Sequence, residues 1–467
     1  MKKISIMIML VLAGVFAQAQ TSVWDGSRQL WTRGTGTESD PYLIESAEQL
    51  AFLSYMVGKA FDTHGLYFKL TTDIDLNGSE DNQWIPIGLS KNAYYEDGCE
   101  RNAAPVGINA TDLAFKGHFD GGDHSISNIY VNSGQDAAGL FGVLANVEGS
   151  QTVVENVFVT SGFIKGVNVG GIAGNCILSS ESDILISRCW NGADIDGTYA
   201  GGIVGNNADK IRNCYNIAAV KGTSAAGGMV ASSANELTEC YNNGAVTSNS
   251  FCGGILGGNV SGKTVVSNCY NTGDVFSTGS GATSSLPACP VGGIVGMVWM
   301  GTHSMTNCYN VGSVSCETCD AGALVGGFGN SGTVENAYFL MGSGADNYGE
   351  AKTAEEMREP SFVDILNNGT DVWCADTLSH NNGYPILGKN NLAVEEYAWQ
   401  TLNVYPNPSN GQFTAEGNGT LRVFNALGQL VVMREIREKV VLDLPKGLYF
   451  VRLDGAEGMR MAKLVVK

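Results

Sequence analysis

A short phrase of six residues recurs eight times along the chain, and it limits the possible folds more than any other feature. Read from its fourth residue, the phrase returns after 28, 32, 25, 26, 29, 39 and 29 residues. The 39-residue step contains STGSGATSSLPACP (277–290), which we interpret as a loop insertion. The copies are ISNIYV (126–131), VENVFV (154–159), ISRCWN (186–191), IRNCYN (211–216), LTECYN (237–242), VSNCYN (266–271), MTNCYN (305–310) and VENAYF (334–339).

Units of this length predict the coils of a parallel β-helix. None has the long 3.6-residue period of a helical solenoid, and each contains two or three short apolar runs broken by Gly and Asn. A propeller blade needs about 40 residues or more, which is longer than most of the steps. One coil of a β-helix needs about as many residues as one step, and successive coils stack about 4.8 Å apart. The expected fold class is therefore all-β.

Stacked coils would give each position of the phrase a constant environment. The fourth position is apolar or Cys in every copy and should point inward, so the mostly aromatic fifth position should point outward. Asn recurs at the third position, where it suits a tight turn, and at the sixth, where in-register amides can hydrogen-bond along the stack. The inward cysteines are Cys189, Cys214, Cys240, Cys269 and Cys308, and the sixth-position asparagines are Asn191, Asn216, Asn242, Asn271 and Asn310.

Gly-rich apolar phrases follow seven of the copies, as in GLFG (139–142) and GGIVG (201–205). These phrases and their spacing resemble the GLUG repeat of large secreted bacterial surface proteins. The resemblance covers about residues 24–390 and implies a right-handed parallel β-helix. The resemblance to these surface proteins also implies a role outside the cell.

A solenoid needs its ends covered, and two capping-box signatures indicate where that occurs. Ser46 and Gln49 form the capping-box start of a short helix with Leu50, Leu53 and Val57 on one face. Thr353 and Glu356 repeat the signature near the other end. The predicted boundaries are residues 20–125 for the N-terminal cap and first rungs, 126–345 for the repeats, 346–389 for the C-terminal cap and 390–401 for a linker.

The last 66 residues predict a separate small Ig-like β-sandwich, because alternating strands and Gly-containing turns follow each other at short intervals. Their ordered motifs resemble the C-terminal sorting domain of the type IX secretion system, although an ordinary Ig-like binding module would also form a sandwich. The resemblance implies export in a Bacteroidetes-type bacterium, the type IX machinery as partner, and removal of the domain with attachment to lipopolysaccharide or release. The matching residues are Pro406, Asn407, Pro408, Gly411, Gly428, Gly447, Tyr449, Lys463 and Lys467.

Residues 1–19 predict a secretory signal peptide, with Lys2 and Lys3 before an apolar stretch and Ala17-Gln18-Ala19 as the cleavage site. The apolar stretch is too short for a membrane anchor, and we expect no transmembrane segment in the mature chain. Residues 20–401 hold 16 basic and 40 acidic residues, so this body repels phosphate backbones and nucleic acid is an unexpected partner. The expected location is the outer cell surface or the medium, reached through the periplasm.

Twelve cysteines in an exported chain allow disulfides. The five inward cysteines share one wall, where their side chains run parallel, so reduced core packing is the favoured interpretation. Cys316 and Cys319 lie in one loop and leave three alternatives open: a local disulfide, two free thiols, or half of a metal site.

The outward aromatic residues are the predicted ligand-binding site. A row of rings can stack on sugar faces; alternatively, the rings stack on each other beneath a loop and bind nothing. The predicted ligand-binding residues are Trp190, Tyr215, Tyr241, Tyr270 and Tyr309.

Catalytic signatures are scarce, since neither H-E-x-x-H nor G-x-S-x-G occurs and only five His are present. We predict no catalytic residues and no cofactor; Ca²⁺ at Asp73/Asp75 or Asp120/Asp123 is an alternative to simple turn formation. The leading hypothesis is a non-catalytic adhesin or a glycan- or matrix-binding scaffold. The alternatives are a polysaccharide lyase or glycoside hydrolase of the β-helix type, and a spacer within a surface layer.

Overall fold

A computed structural model gives the fold of the chain. The chain divides into two compact units, Met1–Asn390 and Asn391–Lys467. The predicted signal peptide, most of the predicted linker and most of the predicted loop insertion lie outside the described residues. Those described are 21–90, 94–96, 99–101, 109–132, 134, 136–179, 183–259, 262–280, 290–299, 301–319, 321–328, 331–345, 348–388, 400–425, 430–455 and 458–467.

The first unit is a parallel β-helix, as the repeat predicted. One coil consists of the strands Val204–Arg212, Tyr215–Asn216 and Val220–Gly227. The next coil continues in register above it, so that Tyr215 lies beside Tyr241 in a parallel pair. Stacking extends over a 24-stranded and an 11-stranded sheet. The remaining strands of the stack from residue 137 are Ala137–Ala138, Phe141–Ala145, Thr152–Glu155, Phe158–Val159, Gly162–Gly170, Ala173–Ile177, Ile184–Ser187, Trp190–Asn191, Asp194–Gly201, Val230–Thr238, Tyr241–Asn242, Val246–Ser248, Phe251–Gly253, Leu256–Asn259, Lys263–Ser267, Tyr270–Asn271, Val275–Ser277, Val291–Gly292, Val295–Val298, Thr302–Asn310, Val314–Cys316, Ala321–Gly322, Val325–Phe328, Ser331–Leu340 and Glu350–Lys352.

The N-terminal end of the stack is built from short strands and one helix. Ser46 caps the helix Ala47–Gly58 by accepting a hydrogen bond from the Gln49 backbone N–H, and Leu50, Leu53 and Val57 are buried, as predicted. A 3₁₀ helix spans Ala110–Leu113. The strands are Ser22–Val23, Tyr42–Ile44, Tyr67–Leu70, Ile74–Asp75, His118–Asp120, Ser125–Ser127 and Ile129–Val131 in the parallel stack, and Tyr94–Glu96 with Cys99–Arg101 as a hairpin.

Two ordered columns line the inside of the repeats, and both confirm their prediction. The five cysteines of the fourth position are fully buried and carry free thiols. The sixth-position asparagines are also fully buried, and each of Asn191, Asn216, Asn242 and Asn271 donates its amide N–H to the next asparagine at 2.8 Å. Each buried amide thereby gains the partners that a polar group needs inside a core.

The turn before each inward residue follows the predicted use of Asn. Asn213 and Asn268 have φ of 54° and 51°, a left-handed conformation that Asn tolerates better than most residues. Beside the asparagine column, Gly is needed because the backbones of neighbouring coils approach closely. A Cβ on Gly228 would lie 2.0 Å from the Gly254 carbonyl oxygen. In the loop of the last coils, Cys316 and Cys319 form a disulfide, which selects one of the three alternatives.

The C-terminal end of the stack is covered by a small cap. Thr353 and Glu356 exchange the two hydrogen bonds of the predicted capping box. A 3₁₀ turn Glu356–Arg358 and the helix Pro360–Asn367 follow, and the strands Trp373–Cys374 and Ile386–Leu387 form an antiparallel pair.

The second unit is a β-sandwich, which confirms the predicted class. Phe413 and Ala415 of one sheet share a buried core with Leu421 and Val451 of the other. Tyr449 donates its hydroxyl to the Pro445 carbonyl at 2.9 Å. The five-stranded sheet contains Gln400–Thr401, Gly458–Val466, Gly447–Gly455, Gly419–Asn425 and Leu430–Ile436, and the three-stranded sheet contains Val404–Tyr405, Gln412–Glu416 and Lys439–Asp443.

The predicted sorting residues are distributed over this sandwich. Pro406, Asn407 and Pro408 follow its strand Val404–Tyr405, and the Asn407 side chain accepts a hydrogen bond from the Val465 N–H at 3.0 Å. Gly411 adopts φ of 114°, which favours glycine. Gly447, Tyr449 and Lys463 lie in strands and Lys467 follows the last strand, whereas Gly428 is outside the described residues.

Candidate functional site

The predicted aromatic residues form one continuous ladder on the outer wall, which we call the aromatic ladder. It contains Trp190, Tyr215, Tyr241, Tyr270 and Tyr309. From Trp190 onward, successive ring centroids are 5.5, 4.7, 4.7 and 5.1 Å apart, and neighbouring planes differ by at most 6°. The structure therefore brings all five predicted residues into a single row.

The C-terminal cap covers one half of this ladder. Tyr309 is fully buried: its hydroxyl donates to the Pro385 carbonyl at 2.5 Å and accepts from the Asn381 amide at 2.7 Å. The ring of Trp373 lies 5.9 Å from that of Tyr270 and 5.5 Å from that of Tyr309.

The other half of the ladder lies beyond the cap. Trp190, Tyr215 and Tyr241 remain half-buried rather than buried. The ladder thus runs from beneath the cap towards solvent.

The parallel stacking determines which parts of the rings a ligand can reach. Each ring within the ladder covers the faces of its neighbours, so the row presents edges and hydroxyl groups rather than free faces. Burial raises the pKa of the Tyr215 hydroxyl, and burial together with the nearby Tyr215 raises that of Tyr241. These hydroxyls therefore stay protonated and can both donate and accept hydrogen bonds. Ligand binding by the ladder stays a prediction.

A second outward column runs beside the ladder, two residues further along the chain and directly after each strand ends. It contains Ile217, Asn243, Thr272 and Val311, and their backbone N–H groups donate to Asn191, Asn216, Asn242 and Asn271 of the preceding coil. Sequence analysis did not select this column, although the two-residue strand period places it on the outward side like the ladder.

A groove of about 620 Å³ separates this column from the cap. One wall is formed by Asn243, Thr272 and Val311 of the β-helix. The other wall comes from the cap, and its residues are Arg358, His380, Asn381, Asn382 and Tyr384. Nothing in the repeat pattern predicts the cap residues, because their position depends on how the chain folds back after the last coil.

A charged cluster lies nearer the N-terminus, at the turn that precedes the strands of the ladder positions. His118 Nε2 lies 2.8 Å from Glu155 Oε1, and Arg188 donates to Glu155 Oε2 at 2.5 Å. The hydrogen bond to His118 leads the interactions that hold the pKa of Glu155 below its ordinary value of 4.5, and Arg188 acts in the same direction. The sequence signal for this cluster is Arg188, which stands where most copies have Asn.

Asp120 lies on the same strand as His118 and extends the charged cluster to Lys69 of the preceding coil. Its carboxylate accepts from Lys69 at 2.7 Å and from the Asn156 amide at 2.8 Å. Burial alone would raise the pKa of Asp120, but these bonds and one from the Gly122 N–H outweigh it and hold the pKa below 3.8. Both carboxylates of the cluster are therefore paired anions.

The aspartates considered for Ca²⁺ take part in turns and side-chain bonds. Asp73 accepts from the Ser125 N–H, and Asp75 accepts from the Asn77 N–H, both at 2.8 Å. Within the described part of the chain, no three His, Cys, Asp or Glu side chains are grouped so that they could hold a metal ion. A Ca²⁺ role for these residues stays a prediction. Among the same residues, no helix has the length and apolar character needed to cross a membrane.

Comparison with known proteins identifies the C-terminal domain. Residues 403–467 match the family described as secretion system C-terminal sorting domain. This is the type IX sorting domain, and it marks the chain for export to the cell surface or the extracellular space. The type IX secretion machinery is accordingly a partner of this chain.

Two relatives of this chain are much longer proteins. Halomucin of Haloquadratum walsbyi is 31% identical over 174 residues, which are 37% of this chain and 2% of halomucin. A protein of Evansella cellulosilytica described as "Putative Gly-rich membrane protein" is 31% identical over 163 residues, which are 34% of this chain and 15% of that protein. The chain thus spans less than a sixth of the length of these relatives.

One solved structure is similar in its chain path. It is described as a "putative immunoglobulin A1 protease" from Bacteroides ovatus and aligns with a TM-score of 0.46 at 24% sequence identity. The alignment covers 76% of this chain and 94% of the solved chain.

Proposed function

We propose that this chain is a non-catalytic adhesin of the GLUG-repeat type that binds glycans outside the cell. The single observation that carries the proposal is the aromatic ladder emerging from the C-terminal cap, with the polar groove at its edge. Type IX export brings this wall into contact with surrounding polysaccharides. The description of one relative as a Gly-rich membrane protein supports a place at the cell envelope.

The outer wall suits an uncharged, hydroxyl-rich ligand. Tyr215 and Tyr241 offer protonated hydroxyls, and Asn243 offers an exposed amide beside them. Protein sites for small polar ligands combine such fixed groups with aromatic surface. The ladder is held in register by the backbone pairing of the coils, so little side-chain freedom is lost on binding.

A glycan array probed with the full chain tests this proposal. Binding to a subset of neutral glycans is expected, and Tyr215→Ala with Tyr241→Ala should weaken it strongly. The exposed Asn249 on the same coil provides a matched control as Asn249→Ala. An array without any bound glycan would reject the proposal and favour a spacer role.

Cleavage of polysaccharide is the second candidate, and the charged cluster is the observation that favours it. Charged side chains of four coils meet there, including Lys69, Asp120 and Glu155. A proton-donating carboxylic acid, however, needs a raised pKa, and both carboxylates of the cluster have lowered ones. Release of reducing ends from acidic or neutral glycans, lost in Glu155→Gln, would establish cleavage in place of the adhesin.

The fate after export is also part of the proposal. We infer that the signal peptide is removed on entry to the periplasm of a Bacteroidetes-type bacterium. The sorting domain is then cleaved, and the body is attached to lipopolysaccharide or released. Cell fractionation separates the two fates: attachment gives a surface form with a shifted gel mobility, and release gives a sharp band in the medium. An intact sorting domain on the mature protein would contradict the cleavage step.

A further inference from the structure

The groove between the β-helix wall and the C-terminal cap is large enough to hold a small ligand. Its volume of about 620 Å³ falls within the range of about 300–1,000 Å³ typical of small-molecule pockets. Its wall residues Asn243 and Thr272 follow Tyr241 and Tyr270 of the aromatic ladder by two residues each, so the groove and the ladder use neighbouring positions of the same coils.

The β-helix wall supplies an ordered pair of hydrogen-bonding groups. The Thr272 hydroxyl donates to the Asn243 side-chain oxygen at 2.9 Å, which leaves the amide N–H₂ of Asn243 directed away from this bond. Asn243 is exposed, and Thr272 is half-buried. Stacking of the coils fixes the spacing of the two side chains.

The cap wall is held in place by one carboxylate. Asp376 accepts hydrogen bonds from the backbone N–H groups of His380, Asn381 and Gly383 at 2.9, 2.7 and 2.9 Å. The Asn381 side chain then ties this loop to Tyr309 of the ladder. The loop that carries the exposed His380 is therefore organised before any ligand arrives.

Arg358 closes the cap side of the groove. Its Nε donates to the Asn382 carbonyl at 2.9 Å, and its guanidinium carbon lies 4.4 Å from the centre of the Tyr384 ring. These two contacts fix the position of the guanidinium and use one of its five N–H donors.

We propose that this groove is the subsite that binds sugar residues of a neutral glycan. The proposal rests on the proposed glycan-binding function and identifies where on this unit the sugars are recognised. The amides and the hydroxyl of Asn243, Thr272 and Asn382 suit sugar hydroxyls, which both donate and accept. The acidic body, with 40 acidic against 16 basic residues at 20–401, repels polyanionic glycans.

Calorimetric titration of the full chain tests the groove with four probes: mannohexaose, cellohexaose, N-acetylchitohexaose and a hexamer of galacturonate. We expect at least one neutral probe to bind more tightly than the galacturonate hexamer. Asn243→Ala with Thr272→Ala should weaken that binding about tenfold, and His380→Ala about threefold. Asn249→Ala should leave it unchanged, and an unchanged Tm shows that each variant is folded.

Each other outcome is decisive. If the groove variants bind like the control while Tyr215→Ala still weakens binding, the groove is not the subsite and the ladder alone carries the function. If the galacturonate hexamer binds most tightly, the assignment to neutral glycans is overturned. If no glycan binds on the array or in solution, the proposed function itself fails, and the groove with it.

Discussion

The two halves of the aromatic ladder use the same residue type in the same stacked position for different purposes. Tyr309 is fully buried under the cap, and its hydroxyl has two partners in the cap. Tyr215 stacks equally closely on its neighbours but remains half-buried. The difference therefore arises from the cap, which buries the rings and supplies hydrogen-bond partners in one half of the ladder. In the other half, the rings and hydroxyls are left for solvent or a ligand.

This contrast shows how a solenoid can separate stability from recognition. Backbone pairing and inward columns are common to both halves. What lies over the outer wall then decides whether a tyrosine acts as core or as surface.

Tyr309→Ala should give the largest effect, a loss of about 3–5 kcal/mol in the free energy of unfolding. The substitution empties a fully buried site and removes the partner of Asn381 and Pro385. Denaturant unfolding followed by circular dichroism measures the loss. Tyr309→Phe is the matched control, since it keeps the stacked ring and should cost less. A loss in Tyr309→Ala below about 1 kcal/mol would mean that the cap does not depend on the ladder.

Replacing one of the stacked sixth-position asparagines by Ala should lower the free energy of unfolding by about 2–3 kcal/mol. The loss should be equal beneath the open and the covered half of the aromatic ladder. Asn216 lies beneath the open half and Asn271 beneath the covered half, and each donates to the next amide at 2.8 Å and to a nearby carbonyl. Asn216→Ala and Asn271→Ala therefore leave comparable buried groups unpaired. Unequal losses, measured by the same unfolding experiment, would show that the cap also reorganises the interior.

Tyr215→Ala should cost only about 1 kcal/mol, because the ring is partly exposed and its stacking contributes about 0.5–1.5 kcal/mol. Glycan binding should fall much more than stability does. Tyr215→Phe keeps the ring but lacks the hydroxyl, so it separates the two roles: stability should be nearly unchanged, while binding should weaken. A loss of stability as large as that of Tyr309→Ala would remove the distinction between the two halves.

The interior of the ladder region could be predicted from the sequence because stacked coils repeat one environment. Cys, Tyr and Asn recur at three successive positions, and strand alternation then places the Cys and Asn columns inward and the Tyr column outward. The same period indicates the column of Asn243 and Thr272, which sequence analysis passed over because its residue types vary.

The cap and the charged cluster could not be predicted in this way. Whether Tyr270 is buried and Tyr215 is not depends on where residues 360–387 fold back, and no local pattern encodes that contact. His118 and Glu155 are 37 residues apart and meet only through the pairing of coils. The disulfide between Cys316 and Cys319 could not be predicted either, because the spacing of the two cysteines in the sequence allowed three alternatives.

The smallest expected effect is a dependence of stability on pH through Glu155. This residue lies near the end of the open half that is farthest from the cap. Glu155 lies three residues before Phe158, whose ring is 6.0 Å from that of Trp190. His118 and Arg188 hold the pKa of Glu155 below 4.5, while nearby Asp120 opposes them weakly. A carboxylate with a lowered folded-state pKa stabilises the protein above pH 4.5, and this contribution is lost as the pH falls through the folded-state pKa.

Glu155→Gln should therefore lower stability at pH 7 by less than about 1 kcal/mol, because the partners are partly exposed and screened by solvent. The difference between wild type and variant should shrink below pH 4.5 and vanish once Glu155 is protonated in the folded state. Unfolding of both proteins at several pH values measures it, and Glu148→Gln serves as the control because Glu148 is exposed. A difference independent of pH would mean that Glu155 acts through packing and not through its charge. Glu155 would then contribute no electrostatic stability to the fold.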